Sequence, residues 1–124
     1  MKKRVMVDMS LTLVHHGHIR LLKKASELGH VTVALTTDDE IERVKGFRPP
    51  LSYEHRKEIA LAIRYVDAVL PCNWLIDEKF LDVHGMDLLV HGDDYQNAVP
   101  KERTIIFPRT NNISSSLLRN DVFN

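Results

Sequence analysis

Two histidines three positions apart with a glycine between them, His15, Gly17 and His18, are the residues in this chain whose types and spacing best suit chemistry. They follow an apolar run, Val5 to Met9, that reads as a strand, and they open a segment with apolar residues at helical spacing. At a helix mouth the first N–H groups lack partners within the helix, the macrodipole favours an anion, and glycine lets backbone come close to a ligand. The spacing therefore predicts a phosphate grip, with His15 in the loop and His18 in the first turn, both able to reach one phosphorus centre. Helix-start packing is the plainer alternative from the local pattern alone. Zinc is disfavoured, because neither an H-E-x-x-H spacing nor a cysteine-rich pattern accompanies the pair.

The elements that must position these residues alternate between strand and helix. After the first strand, Ile19 to Leu28 carries Leu21, Leu22, Ala25 and Leu28 at helical spacing, with Gly29 as a stop. Val31 to Thr36 is short, apolar and β-branched, as a buried parallel strand would be. A brief helix is expected over Asp38 to Val44, then a loop from Lys45 to Pro50. Ser52 is placed to cap a helix from Tyr53 to about Tyr65 that buries Ile59, Ala62, Ile63 and Val66. A strand over Asp67 to Leu70 ends at Pro71, a helix over Trp74 to His84 stops at Gly85, and strands follow at Asp87 to His91 and Thr104 to Phe107. Ser114 to Asn120 reads as a last short helix.

This alternation implies βαβ units, hence an α/β, Rossmann-like, doubly wound parallel sheet with helices on both faces, built as a single domain over residues 1–124. In such sheets the ligand crevice lies at the carboxyl ends of the strands. The histidine turn, Thr36 to Asp38, Gly92 to Tyr95 and Arg109 to Ser116 all fall just after strands, so they can line one crevice.

Composition limits the partners. The 124 residues are 44% hydrophobic, enough for one core. Seventeen basic residues balance seventeen acidic ones, so no overall positive field argues for nucleic acid or an anionic membrane surface. Any phosphate must be caught by local geometry. The single Cys72 excludes an internal disulfide and suits a reducing compartment; it reads as a packing residue. No apolar run reaches the length of a membrane span, and the apolar stretch after Met1 to Arg4 is too short for a signal peptide, so a cytoplasmic protein is expected. His16, His30, His84 and His91 are expected as loop, structural or surface groups, and Trp74 as a packing or interface anchor.

A resemblance now enters on specific residues. His15-His16-Gly17-His18 matches the H-x-G-H signature of the nucleotidyltransferase superfamily, and Arg109-Thr110-x-x-Ile113-Ser114-Ser115 resembles its R-T-x-x-I-S-[ST] signature. The chain is most similar to the small bacterial glycerol-3-phosphate cytidylyltransferases, which carry stretches like Ser52 to Lys57, Ile63 to Asp67 and Gly92 to Asp94. The likeness runs through nearly the whole chain. It implies transfer of a cytidylyl group from CTP to a small phosphorylated acceptor, with magnesium on the triphosphate and release of pyrophosphate. The acceptor phosphate would attack the α-phosphorus directly.

The same resemblance assigns roles. His15, His18, Lys45 and Arg109 would act on the phosphates, with Lys45 as a mobile lysine. Met9, Ser10, Gly17, Asp94, Thr110, Ile113, Ser114 and Ser115 would bind the nucleotide, Asp94 at its cytosine and ribose end. Thr12, Arg56 and Arg64 would face the acceptor, and a homodimer is implied. No residue set identifies a protein ligand for the metal. Where the family reads G-T-F-D, this chain has Met9-Ser10-Leu11-Thr12, so glycine and aspartate are both replaced; Asn112 stands for a glycine in the second signature. Met9-Ser10 and Val90 to Asp94 also resemble cytidylyltransferase domains of phosphonate biosynthesis, so a phosphonate such as 2-aminoethylphosphonate, or phosphocholine, is the alternative acceptor. A nucleotide-binding module without turnover is the third reading, motivated by Thr12.

Overall fold

Five short segments rich in β-branched and aliphatic residues form one parallel sheet in the computed structural model, which describes residues 3–92 and 99–107. In chain order the elements are β1 (Lys3–Met9), α1 (His16–Leu28), β2 (Gly29–Thr36), α2 (Asp38–Lys45), α3 (Tyr53–Leu61), β3 (Ala68–Cys72), α4 (Glu78–Val83), β4 (Leu88–His91), a 3₁₀ turn (Lys101–Arg103) and β5 (Thr104–Ile106). The sheet order is β3-β2-β1-β4-β5. Val5 and Val7 of β1 stand opposite Val31 and Val33 of β2 on one side and Leu88 and Val90 of β4 on the other.

Alternation along each strand sends side chains to two cores. On one face Val5, Val7, Val31, Val33 and Val90 meet Leu22 and Ala25 of α1 and Ala60 of α3. On the other, Met6, Ala34, Cys72 and Leu89 meet Leu81 of α4. The expected doubly wound sheet with helices on both faces is what forms. The winding reverses between β1 and β4, which places the switch point there. No helix among the described residues is long and apolar enough to cross a membrane.

Several boundaries differ from the expected ones for physical reasons. Gly29 does not close α1 by a left-handed turn; it starts β2, and a Cβ there would lie 2.1 Å from the carbonyl oxygen of Lys3, so only glycine lets β1 approach. Helix α3 ends at Leu61 rather than near Tyr65: the Ala62 N–H turns back to Glu58 and Ile59 carbonyls, and the Asp67 N–H then joins the Val31 carbonyl at the sheet. Its buried positions are Arg56 and Ala60, while Ala62 is exposed. Strand β3 runs through Pro71 to Cys72, because it is an edge strand and a missing N–H there leaves no ladder bond unmade. Helix α4 starts at Glu78 rather than Trp74, since Asp77 caps it by accepting the Phe80 N–H, and Gly85, at φ 69°, follows its end. The expected helix over Ser114 to Asn120 lies outside the described residues.

Candidate active site

Strand β1 delivers the chain to α1 through Ser10 to Val14. Leu11 sits in the left-handed backbone region, φ 50°, uncommon for a residue with a side chain, and its side chain is sunk in the core with Val5 and Leu22. This strained, anchored bend brings the histidine turn over the strand ends. Nothing in the sequence marks Leu11 as such a position.

His15 is the N-cap of α1. Its Nδ1 accepts the Gly17 N–H at 3.0 Å, and Nδ1 of His18 accepts the His15 N–H at 3.2 Å, so the two rings satisfy helix-start donors reciprocally, as Ser and Glu do in a capping box. The rings stack with centroids 4.0 Å apart and 27° between planes, while His16 is exposed with its ring edge-on to His15. Burial lowers both pKa values, with the neighbouring His16 lowering His15 further and His15 lowering His18, which falls to about 4. Both imidazoles are therefore neutral near pH 7. An Nδ1 that accepts a hydrogen bond leaves the proton on Nε2, so each ring carries one N–H donor on its far side. The helix start has no acidic residue in its first turn.

Arg56 underlies this turn. Its guanidinium is wholly buried and donates from Nη1 to the Ser10 carbonyl at 2.6 Å and the Thr36 carbonyl at 2.8 Å, from Nε to the Leu51 carbonyl at 3.1 Å, and from Nη2 to Asp38 at 2.6 Å. Burial raises the Asp38 pKa, but the Tyr53 N–H, Arg56 and Arg48 outweigh it and hold the carboxyl below its ordinary range. Arg56 thus ties the β1–α1 segment, the end of β2, the start of α2 and the approach to α3. The guanidinium expected to face the acceptor is spent on the protein, and its part is positioning.

The other expected residues fall in three places. Met9, Ser10, Thr12 and Gly17 lie on the same β1–α1 segment as the histidines, with Thr12 only 5% exposed. Lys45 is the last residue of α2 rather than part of a loop; its Nζ lies 5.2 Å from the ring centre of Trp74, whose backbone N–H donates to Glu40 Oε1 at 3.0 Å. Arg64 is exposed on the turn leading into β3, at the amino ends of the strands, away from the histidine turn. Asp94, Arg109, Thr110, Ile113, Ser114 and Ser115 lie outside the described residues.

One pair in the crevice escapes the sequence reading. Asp8 of β1 and His91 of β4 lie on neighbouring strands at the switch point, with Oδ1 and Nδ1 2.5 Å apart. A carboxylate within an apolar strand and a histidine closing another were the signals, and only the sheet order joins them. Cys72 is no nucleophile: burial, then the Asp8 charge, pushes its thiol up to about 12. Among the described residues no group of three His, Cys, Asp or Glu side chains is placed to hold a metal ion.

A switch-point crevice with a donor-lined, acid-free helix start defines a nucleotide-handling α/β protein. The chain belongs to the cytidylyltransferase-like family, whose model matches residues 12–121. It is 35% identical over 125 residues, covering 97% of both chains, to a glycerol-3-phosphate cytidylyltransferase of Bacillus subtilis. It is 37% identical over 93 residues to an ethanolamine-phosphate cytidylyltransferase of Mus musculus, covering 73% of this chain and 23% of that one. In fold it matches a lipopolysaccharide core biosynthesis protein of Thermoplasma volcanium with a TM-score of 0.74 at 19% identity, over 90% of this chain and all of the other.

Proposed function

We propose that this enzyme transfers a cytidylyl group from CTP to a small phosphorylated acceptor, of which glycerol 3-phosphate is the first candidate, and releases pyrophosphate. The observation that carries the reading is the stacked, neutral His15–His18 pair at the uncompensated start of α1. The family to which the chain belongs and its full-length likeness to a glycerol-3-phosphate cytidylyltransferase support it. An acceptor phosphate oxygen attacks the α-phosphorus of CTP, the bond to the β-phosphate oxygen breaks, and pyrophosphate leaves with that electron pair. No covalent enzyme intermediate is needed, so catalysis is positioning and charge stabilisation. The two Nε2–H donors and the dipole of α1 act on the non-bridging oxygens as charge builds there. Neutral donors avoid the cost of a protonated ring beside the positive helix end.

Magnesium would travel on the triphosphate. The imidazole donors of the described site suit phosphate oxygens rather than a hard cation, so the metal would be held by nucleotide and water, neutralising phosphate charge. Arg109, Thr110, Ile113, Ser114, Ser115 and Asp94 would complete the nucleotide contacts, and Lys45, exposed at the end of α2, would move onto the phosphates. A homodimer in the cytoplasm completes the reading, supported by the resemblance; sedimentation of the purified protein checks the dimer. Pyrophosphate release with CTP or ATP and a panel of phosphorylated acceptors tests the reaction. CTP-dependent release with a phosphorylated acceptor is expected. Preference for ATP, or CTP binding without turnover on any acceptor, would overturn it.

A further inference from the structure

Helix α1 holds Arg20, Lys23 and Lys24 against one acid, Glu27, near its carboxyl end, and it is the one described α-helix in which cations outnumber acids. Its cations are also unanswered. Arg43, Arg48, Arg56 and Arg103 are each paired with a carboxylate, whereas Arg20, Lys23 and Lys24 are exposed and form no ion pair among the described residues. Like charges three and four residues apart destabilise a helix, so the stripe is held at the expense of α1 itself.

Helical geometry sets where these charges point. His16, Arg20, Lys23 and Lys24 fall within an arc of about 100° on the face opposite the buried Leu22 and Ala25. Arg20 stands one turn beyond the exposed His16, about 6 Å along the axis, and the two lysines stand about 10–12 Å along it. The stripe therefore begins at the histidine turn and recedes from it. With a screening length of about 8 Å at physiological salt, Arg20 and the positive helix end act together at the mouth, and the lysines carry the field outward. The Nζ of Lys24 lies 5.2 Å from the ring centre of Phe107, whose N–H donates to the His91 carbonyl beyond the end of β5, so the stripe also borders the carboxyl edge of the sheet.

We propose that Arg20, Lys23 and Lys24 form the capture surface for the nucleoside triphosphate, drawing its phosphates along the outer face of α1 to the histidine turn. Charge complementarity names the occupant. The triphosphate is the most highly charged anion of the cytidylyl-transfer reading, the stripe ends where its phosphates are received, and a chain of zero net charge supplies no other long-range attraction. This rests on the reading that CTP binds at that turn and adds how it arrives.

The test follows association of a ribose-labelled fluorescent CTP by stopped flow over a range of sodium chloride concentrations. It compares wild type, Arg20→Glu/Lys23→Glu, and Lys3→Glu/Lys101→Glu, which changes net charge equally at the amino edge of the sheet. At low salt Arg20→Glu/Lys23→Glu is expected to slow association about 10-fold, with dissociation within about twofold of wild type. Near about 0.5 M salt the two should converge, because screening removes the field. The Lys3→Glu/Lys101→Glu protein is expected to stay within about twofold of wild type throughout. Equal slowing by both pairs assigns the effect to net charge and overturns the proposal. Unchanged association in Arg20→Glu/Lys23→Glu overturns it too, while leaving cytidylyl transfer standing. Loss of binding to phosphatidylglycerol vesicles in that variant, with CTP association unchanged, assigns the stripe to a membrane surface and overturns it. Absence of CTP binding by wild type overturns both readings. Should Arg20→Glu/Lys23→Glu not fold, Arg20→Gln/Lys23→Gln decides, with association expected to slow about threefold at low salt.

Discussion

Helices α1 and α2 both start at the carboxyl edge of a central parallel strand, yet they present opposite electrostatics. The first turn of α2 holds Asp38, Asp39 and Glu40, and Arg56 pairs with Asp38 beneath it, so its dipole is answered from within the protein. The first turn of α1 holds two histidines and no acid. Among the described α-helices it is the one start without an acidic residue, since α3 and α4 carry Glu54 and Glu78. Topology places both helix mouths on the crevice; composition of the first turn decides which one is left for an external anion.

The two starts are coupled through Arg56, and removing it is the largest way to break the contrast. Arg56→Ala strands the Ser10 and Thr36 carbonyls and leaves Asp38 without its buried partner. It is expected to cost about 3–5 kcal/mol in denaturant unfolding. Because Arg56 acts on the site through Ser10, Arg56→Lys, where it folds, is expected to lower kcat more than it changes the KM for CTP. Equal stability of Arg56→Ala and wild type would show that the arginine is not the brace described.

Next in size is the histidine wall itself. His18→Ala removes one Nε2–H donor and is expected to lower kcat at saturating CTP by about 10²–10³-fold, the usual cost of one transition-state donor. His18→Asp gives α1 the charge pattern of α2 and is expected to lose CTP binding as well. Wild-type rates in either variant would remove the histidine wall from the mechanism.

Acid should separate the two helix starts without mutation. His18 titrates near 4 in the folded protein against about 6.5 in the unfolded chain. Between these values the unfolded chain binds more protons, so this stability contribution is present above pH 6.5 and is lost as pH falls toward 4. The loss between pH 7 and pH 5 should be about 1–2 kcal/mol, measured by urea unfolding, and His18→Asn should flatten that slope. Asp38, depressed below its ordinary range, loses its contribution only at lower pH. The smallest effect belongs to the cap of α2: Thr37→Ala removes the acceptor of the Glu40 N–H and is expected to cost about 1 kcal/mol in the same assay, with turnover little changed.

Read as a string, the chain declares its strands through β-branched runs such as Val31 to Leu35 and its phosphate grip through His15, Gly17 and His18, because periodicity and helix-start chemistry are local. The start of α3 at Ser52 was legible for the same reason. Its end was not, since the demand that Asp67 join Val31 on β2 overrides the helical pattern of Ile63 and Val66. Arg56 shows the limit at the site: the resemblance assigned it to the acceptor, but four acceptors from four segments of the chain consume its guanidinium.

What the sequence by itself determined is the alternation of strand and helix, the apolar faces, and the two neutralisable rings at the mouth of α1, all consequences of residues near one another in the chain. What only the tertiary structure decided is which distant groups share the crevice. Asp8 and His91 meet because β1 and β4 are neighbours where the winding reverses, and a contact across 83 positions follows from sheet order, which no local pattern encodes.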